Sequence, residues 1–283
     1  MNVFRSRRHR RDRVRSTIVA VVLIIFGAVT IVPFVWALSQ ALQTNATAFS
    51  TPPIWITPKP TLENFARVFD LVPFAAQIFN SILVTAAVVF GSIAVATLAA
   101  YPLARLSFAG KEVVFGFFIA AILIPSQVTV IPVFLLLRYL GLIDSLGGLI
   151  VPGLVQVTGI FLLRQHFKSV PQDMTDSALI DGASHMRILR SIVLPTAWPS
   201  LSAMAVFVGQ TYWNDFFWPN ILIVSPEKMT LPIGLFSLQE QHTSGPPGVV
   251  FAAVVMILAP MFVFFVLMQK RLSAGISLVG VNR

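Results

Sequence analysis

The chain has 283 residues, 56% of them hydrophobic and 11% charged, with a mean hydropathy of +0.83. A soluble domain carries roughly 25% charged residues, so this chain cannot cover a globular surface with charge and reads as an integral membrane protein. The net charge of +9 does not point to nucleic acid, because seven of the twenty basic residues lie in the first fifteen positions, just before an apolar run, and the absence of cysteine rules out a disulfide framework or a thiolate metal site.

Residues 1–16 form a basic tail, expected to be disordered and attracted to the lipid surface. Ser6-Arg7-Arg8 invites a twin-arginine export reading, and Ala46-Thr47-Ala48 resembles a small-residue cleavage site. The apolar stretch 17–38 is nevertheless long enough to span, whereas a signal core has roughly 7–15 residues. It is therefore expected to be an uncleaved first membrane helix. Five further runs, at 74–100, 113–137, 146–163, 196–217 and 249–268, approach the roughly 20 residues that a 30 Å hydrocarbon core needs. Pro125, Pro132, Pro152, Pro199 and Pro260 interrupt them, which a bundle tolerates where neighbouring helices satisfy the freed carbonyls.

Six spans put both ends of the chain on one side. Alternating the loops leaves Lys59, Arg67, Arg138 and Lys228 outside and the other sixteen basic residues inside, which orients both termini to the cytoplasm. The expected organisation is a cytoplasmic tail at 1–16, a six-span domain at 17–271 and a second cytoplasmic tail at 272–283. The domain includes an inner loop at 165–195 and an outer loop at 218–248. Outside, residues 39–73 hold Trp55 among four prolines and an amphipathic stretch at 62–72, and residues 221–224 form a short apolar run.

The inner loop is the longest polar interruption on that side. It holds Asp173, Asp176 and Asp181, where the whole chain has only eleven acids. Pro171 and Asp173 suit a helix start, and Met174, Ala178 and Leu179 recur at helical spacing. Asp181-Gly182 breaks the pattern. A second helix is expected from about Ser184 to Leu194, closed by Pro195. The pair would form a docking knob below the membrane. This segment resembles the signature loop of ABC importer permeases: Asp176-Ser177-Ala178, then Asp181-Gly182-Ala183, then Ile192-Val193-Leu194-Pro195 at the family's spacing. Asp176 and Ser177 depart from the family's Glu and Ala; both keep the helix, and the shorter acid puts the strength of one contact in question.

Motifs for chemistry are missing. A phosphate-cradling loop needs Gly five positions before the Gly-Lys pair and Ser or Thr after it. Gly110-Lys111 has Arg105 and Glu112 at those places, so ATP is not hydrolysed here. His9, His166, His185 and His242 have no metal spacing, although His166 and His185 could approach one another in the inner loop.

Polar residues at membrane depth are costly and face the bundle or a cavity. The candidates for a substrate path are Asn80, Gln127, Gln156, Gln210, Trp213, Asn214 and Asp215, since neutral amides and aromatic faces suit a sugar's hydroxyls and C–H faces. Hydrogen bonding between helices is the competing role for each. The cluster Tyr212-Trp213-Asn214-Asp215 resembles the Trp-Asn-Asp segment of carbohydrate-importer permeases. So do Asn80-Ser81, Ala100-Tyr101 with Arg105 and Gly110-Lys111, and Leu140-Gly141-Leu142 in their places.

The resemblance narrows to the smaller six-span permease of maltose-type importers, a type I bundle with a cytoplasmic coupling helix, in a bacterial inner membrane. It implies a heterodimer with a second permease, two ATPase subunits that bind ATP and Mg (none in this chain), and an extracytoplasmic solute-binding protein. It also implies that a loop at 225–247 reaches that protein's cleft, and that the tail 272–283 touches the ATPases. Rival readings are a permease for glycerol phosphate or another small polar solute, and a self-contained secondary transporter. The latter calls for a buried titratable group or ion site and inverted repeats.

Overall fold

The computed structural model describes residues 3–44, 54–241 and 247–279, and among them there are helices and turns but no strand. The chain divides into two compact units, one of residues 1–71 and 238–259, the other of residues 72–237 and 260–283.

The first unit is built on α1 (Val3–Ala41), α2 (Glu63–Leu71) and the opening turns of a long C-terminal helix, α14 (Pro247–Val279). The backbone of the basic tail is helical from Val3, where a disordered segment was expected. Arginine is a good helix former, and neither Gly nor Pro intervenes before the apolar run. The apolar side chains of α1, such as Leu23, Ile24 and Phe26, are exposed along its spanning length, which is uncostly only in lipid or against another protein. Burial begins at Ala37 and Ala41. There the helix end is closed by Asn64 of α2, whose Nδ2 donates to the carbonyls of Ala41 at 2.9 Å and Gln43 at 2.8 Å. Trp36 meets Phe251 edge to face at 5.0 Å.

The second unit is organised around α3 (Phe74–Arg105). In chain order it continues with α4 (Lys111–Ile122), α5 (Val130–Tyr139), α6 (Leu146–Gly153), α7 (Val157–Ser169), α8 (Gln172–Ile180) and α9 (His185–Ile188). A π-helical turn (Leu189–Val193), α10 (Leu194–Thr196), α11 (Trp198–Trp213), α12 (Phe217–Leu222) and α13 (Leu231–Gln241) follow. Val84, Val88, Ala96, Ala100 and Leu103 line one face of α3 at helical spacing and pack with Ile160, Leu163 and Phe167 of α7 and Leu201, Met204 and Val208 of α11. Small residues bring the helices close: a side chain at Gly159 would collide with Met204, and one at Gly153 would lie 2.7 Å from the Tyr212 hydroxyl.

Among the described residues four helices are long and apolar enough to cross a membrane, at Ser16–Ala41, Phe74–Arg105, Leu146–Ser169 and Pro247–Phe264, and a fifth if the bent pair His185–Thr196 and Trp198–Trp213 is one span. The run at 113–137, expected as one span, is broken into α4 and α5. Pro125 removes a backbone donor and disfavours helix at Ile124, and the chain turns, with Val128 N–H on the Pro125 carbonyl and Thr129 Oγ1 on the Ser126 carbonyl. At 1.5 Å per residue the two pieces reach only about 18 and 15 Å. The last helix continues to Val279, through most of the segment expected to be a tail; residues 280–283 lie outside the described residues.

Candidate functional site

The inner loop folds as two short helices around a tight stop. Pro171 precedes α8 with Asp173 in its first turn, as its sequence indicates. At the other end Gly182 has φ +79°, Gly182 N–H donates to the Leu179 carbonyl at 3.0 Å, and Ala183 N–H donates to the Ala178 carbonyl at 2.9 Å. These are the two bonds of a Schellman stop. Ser184 then caps α9 by accepting from Arg187 N–H at 3.4 Å. Pro195 does not end this second helix. The ladder widens before it, with Leu194 N–H donating to the Leu189 carbonyl five residues back, and helix resumes through Thr196. The direction changes by 77° at Ala197 instead.

On α8 the spacing of apolar residues does not mark a face turned toward the bundle. Thr175 is its buried residue, whereas Met174, Leu179 and Ile180 are exposed, Ile180 at 86%. Asp173, Asp176 and Asp181 are exposed too and have no ion-pair partner among the described residues. Of the remaining signature residues, Ser177 bonds back to the Asp173 carbonyl, Ala183, Ile192 and Leu194 pack against the hydrophobic core, and Pro195 is exposed. The result is a rigid knob with apolar side chains and carboxylates on its free side.

The knob is held from above by α3. Tyr101 Oη lies 3.2 Å from His185 Nδ1, and the Arg105 guanidinium donates to the Val170 carbonyl. Asp176 shares a small polar cavity of about 70 Å³ with Tyr101, Arg105 and His185. Next to it, Lys111 Nζ donates to the Leu106 carbonyl at 2.9 Å and the Ala104 carbonyl at 3.3 Å, closing the end of α3. Arg164 is 3% exposed; it donates from Nε to the Leu103 carbonyl at 3.0 Å and from Nη2 alone to both Glu112 carboxylate oxygens, at 2.8 and 3.0 Å, and lies 3.6 Å over the Phe115 ring. Sequence reasoning used Arg164 only as a positive charge and Glu112 only to dismiss a phosphate loop. An arginine four residues before a loop lysine, within an apolar helix, was the available signal. His166 and His185 do not meet: His166 bridges Thr196 and Ser200 at 3.3 Å each, across the bend.

The expected path residues scatter. Asn80 is buried, and its Nδ2 donates to the Glu227 and Met229 carbonyls; Ser81 Oγ accepts from Leu231 N–H. Gln127 is exposed in the turn between α4 and α5. Gln156 donates to the Gly153 carbonyl and to the Tyr212 hydroxyl. Gln210 offers its carbonyl to Asn214 Nδ2, and Asp215 caps α12 by accepting from Phe217 N–H at 3.0 Å. Trp213 alone of these lines the main cavity, a groove of about 1030 Å³ among α3, α11 and α14. In that mostly apolar groove Thr85 Oγ1, Thr97 Oγ1 and Trp213 Nε1 are buried without a hydrogen-bond partner. No group of three or more His, Asp or Glu that could hold a metal occurs among the described residues.

Residues 92–277 match the family of inner membrane components of binding-protein-dependent transport systems. The chain belongs to that family. It is 31% identical over 223 residues to the arabinooligosaccharides transport system permease protein AraQ of Halalkalibacterium halodurans, covering 78% of this chain and 80% of that protein. It is 27% identical to the diacetylchitobiose uptake system permease protein NgcG of Streptomyces coelicolor (94% and 89% covered) and 27% identical to the trehalose/maltose transport system permease protein MalG of Thermococcus litoralis (93% and 97%). Its fold is that of a chain in the crystal structure of a bacterial ABC transporter involved in importing the acidic polysaccharide alginate. There the TM-score is 0.81 at 24% identity, over 92% of this chain and 97% of that one.

The family match contains the whole knob and its Tyr101, Arg105 and Arg164 supports. Near the end of α3 that holds Asn80 the chain is tied down as well. Asp144, at φ +52°, accepts from Val224 N–H and Ser225 N–H at 2.9 Å, from Ser225 Oγ at 2.6 Å and from Lys228 Nζ at 2.9 Å. The Ser225 hydroxyl first, then the Ser225 N–H, Lys228 and the Val224 N–H, hold its carboxyl well below the usual carboxylate range. Nothing in the sequence marked Asp144, since its partners lie some eighty positions away.

Proposed function

We propose that this protein is the membrane-spanning permease subunit of an ATP-driven carbohydrate importer, working beside a second permease, two ATPase subunits that carry ATP and Mg, and an extracytoplasmic binding protein. The observation that carries the reading is the knob at 171–195: its helix α8 leaves Met174, Leu179 and Ile180 exposed, and its three carboxylates have no ion-pair partner among the described residues. Such a surface stays in water only at a cost, and it fits a groove on a soluble ATPase. The Asp173–Asp181 stretch serves as the coupling helix.

A six-span arrangement with both termini in the cytoplasm, in a bacterial inner membrane, is supported by the sixteen-to-four split of basic residues. In that arrangement α4 and α5 together make one interrupted crossing. Relatives named for arabinooligosaccharides, diacetylchitobiose and trehalose or maltose support a sugar as cargo. The groove agrees with this. Its lining is largely apolar, Arg190 is its single charged residue among those described, and Thr85, Thr97 and Trp213 carry buried polar atoms with no hydrogen-bond partner among the described residues. A sugar with C–H faces and neutral hydroxyls matches that mixture better than an anion does.

The test is reconstitution of the membrane complex in vesicles with its binding protein, followed by uptake of labelled oligosaccharide and of labelled glycerol 3-phosphate. ATP-dependent sugar uptake with no glycerol phosphate uptake is the expected result. Uptake driven by an ion gradient, with no ATPase bound, would establish a secondary transporter instead.

A further inference from the structure

Two distant pieces of chain are gripped by the two ends of one helix. At one end of α3, Asn80 Nδ2 donates to the carbonyls of Glu227 and Met229 at 2.8 and 3.0 Å, and Ser81 Oγ accepts from Leu231 N–H at 2.8 Å. These contacts fix the segment that leads into α13 and toward the loop proposed to meet the binding protein. At the other end Tyr101 Oη meets His185 Nδ1 and Arg105 holds the Val170 carbonyl, which fixes both helices of the knob. From Asn80 to Arg105 the helix rises about 38 Å, more than the roughly 30 Å of a hydrocarbon core.

The same two regions are also joined along the chain, through α12, α11 and α10. That route contains the 77° change of direction at Ala197 and the π-helical turn at Leu189–Val193. A bend and a widened turn absorb a displacement, whereas a continuous helix with both ends hydrogen-bonded to backbone carries it along its axis. Resting on the function proposed above, we infer that α3 is the rod that transmits the state of the extracytoplasmic segment 227–231 to the coupling knob, with Asn80 and Ser81 as its outer grip and Tyr101 and Arg105 as its inner grip. These four are positioning residues. They need touch neither sugar nor nucleotide, and they explain why Asn80, buried within the bundle, spends both its amide donors on backbone.

The experiment uses the complete reconstituted complex and three variants, Ser81→Ala, Tyr101→Phe and the double variant. Each single change removes one hydroxyl and leaves the helix intact. The readouts are assembly with the ATPase, basal ATP hydrolysis, and the factor by which the loaded binding protein raises it. Assembly and basal hydrolysis are expected to hold while the stimulation factor falls about fivefold or more in each single variant. The double variant should be no worse than the more impaired single, because the two grips act in series and the looser one limits what the rod transmits. Undiminished stimulation in either single, or losses that multiply in the double, would overturn the inference. Failure of Tyr101→Phe to assemble would assign that pair to folding and overturn it as well. A wild-type complex with no ATPase bound would remove the proposed function itself, a result visible before any variant is made.

Discussion

Gly182 offers the sharpest test of how the knob works, because two physical accounts of it predict opposite orders of variants. Its φ of +79° costs a residue with a Cβ about 1 kcal/mol, and a β-branched residue more. Among the described residues beyond its chain neighbours nothing lies within 4 Å of where a Cβ would sit, so the penalty there is conformational. If the turn opens to relieve it, the bonds to the Leu179 and Ala178 carbonyls go too, at about 1 kcal/mol each. Gly182→Ala should therefore weaken docking of the ATPase about fivefold and Gly182→Val by tenfold to about a hundredfold. Gly182→Asn should cost only a few tenths of a kcal/mol, since Asn enters this region readily. If instead the glycine is there because a partner surface presses on it, the order follows side-chain size and Asn is worse than Ala. Co-purification of the ATPase at limiting concentration, with stimulated hydrolysis alongside, separates the two. Asn ranking below Ala would refute the backbone argument.

Four other outcomes follow from the same structure. Asp176→Lys should abolish uptake while the spans still insert, because the residue is exposed and far from membrane depth; normal uptake would remove Asp176 from the docking surface. Arg164→Lys gives up the Nε bond to the Leu103 carbonyl and the ring contact, and with the Glu112 side chain 70% exposed the ion pair adds little, so the cost should be about 2 kcal/mol, read as a lower unfolding temperature in detergent. The Asp144 carboxyl titrates below its ordinary value in the folded chain, so its contribution is present at neutral pH and is lost as pH falls through and below about 4. Hydrogen-exchange protection at residues 222–228, taken relative to the intrinsic amide rate at each pH, should therefore fall in acid in the wild type, and already at neutral pH in Asp144→Asn. A cysteine placed at Ser184 should resist extracellular labelling in intact cells, and labelling there would reverse the orientation proposed from the basic residues.

What the sequence shows clearly is what depends on near neighbours. The start of α8 at Pro171, the stop at Gly182 and the cap at Ser184 are local backbone chemistry, and each is found where the residue types place it. The spans at 17–38 and 74–100 are long apolar runs, and each lies within one helix whose membrane-length part, Ser16–Ala41 or Phe74–Arg105, begins within a residue of the run. The run at 113–137 is equally apolar, but hydropathy does not register that Pro125, beside Ser126 and Thr129, supplies a complete turn. At Pro195 the error is opposite: proline was read as a stop, and the chain accommodates it by widening the turn before it.

The polar residues at membrane depth show where such reading ends. Cost alone says that a buried amide must have a partner; it does not say whether the partner is cargo, another helix or a loop. Asn80 and Asn64 solve that problem in the same way, with one Nδ2 shared between two backbone carbonyls of a distant segment, and neither has a sequence neighbour that would suggest it. Trp213, Thr85 and Thr97 are the contrasting case. Their polar atoms are buried and bonded to nothing in the chain, at about 1–3 kcal/mol each if left so, and all three line one groove. A satisfied amide is finished with its work inside the fold. A set of unsatisfied polar residues gathered along one groove is the stronger mark of unfinished bonding, and it is visible only once the helices have been placed side by side.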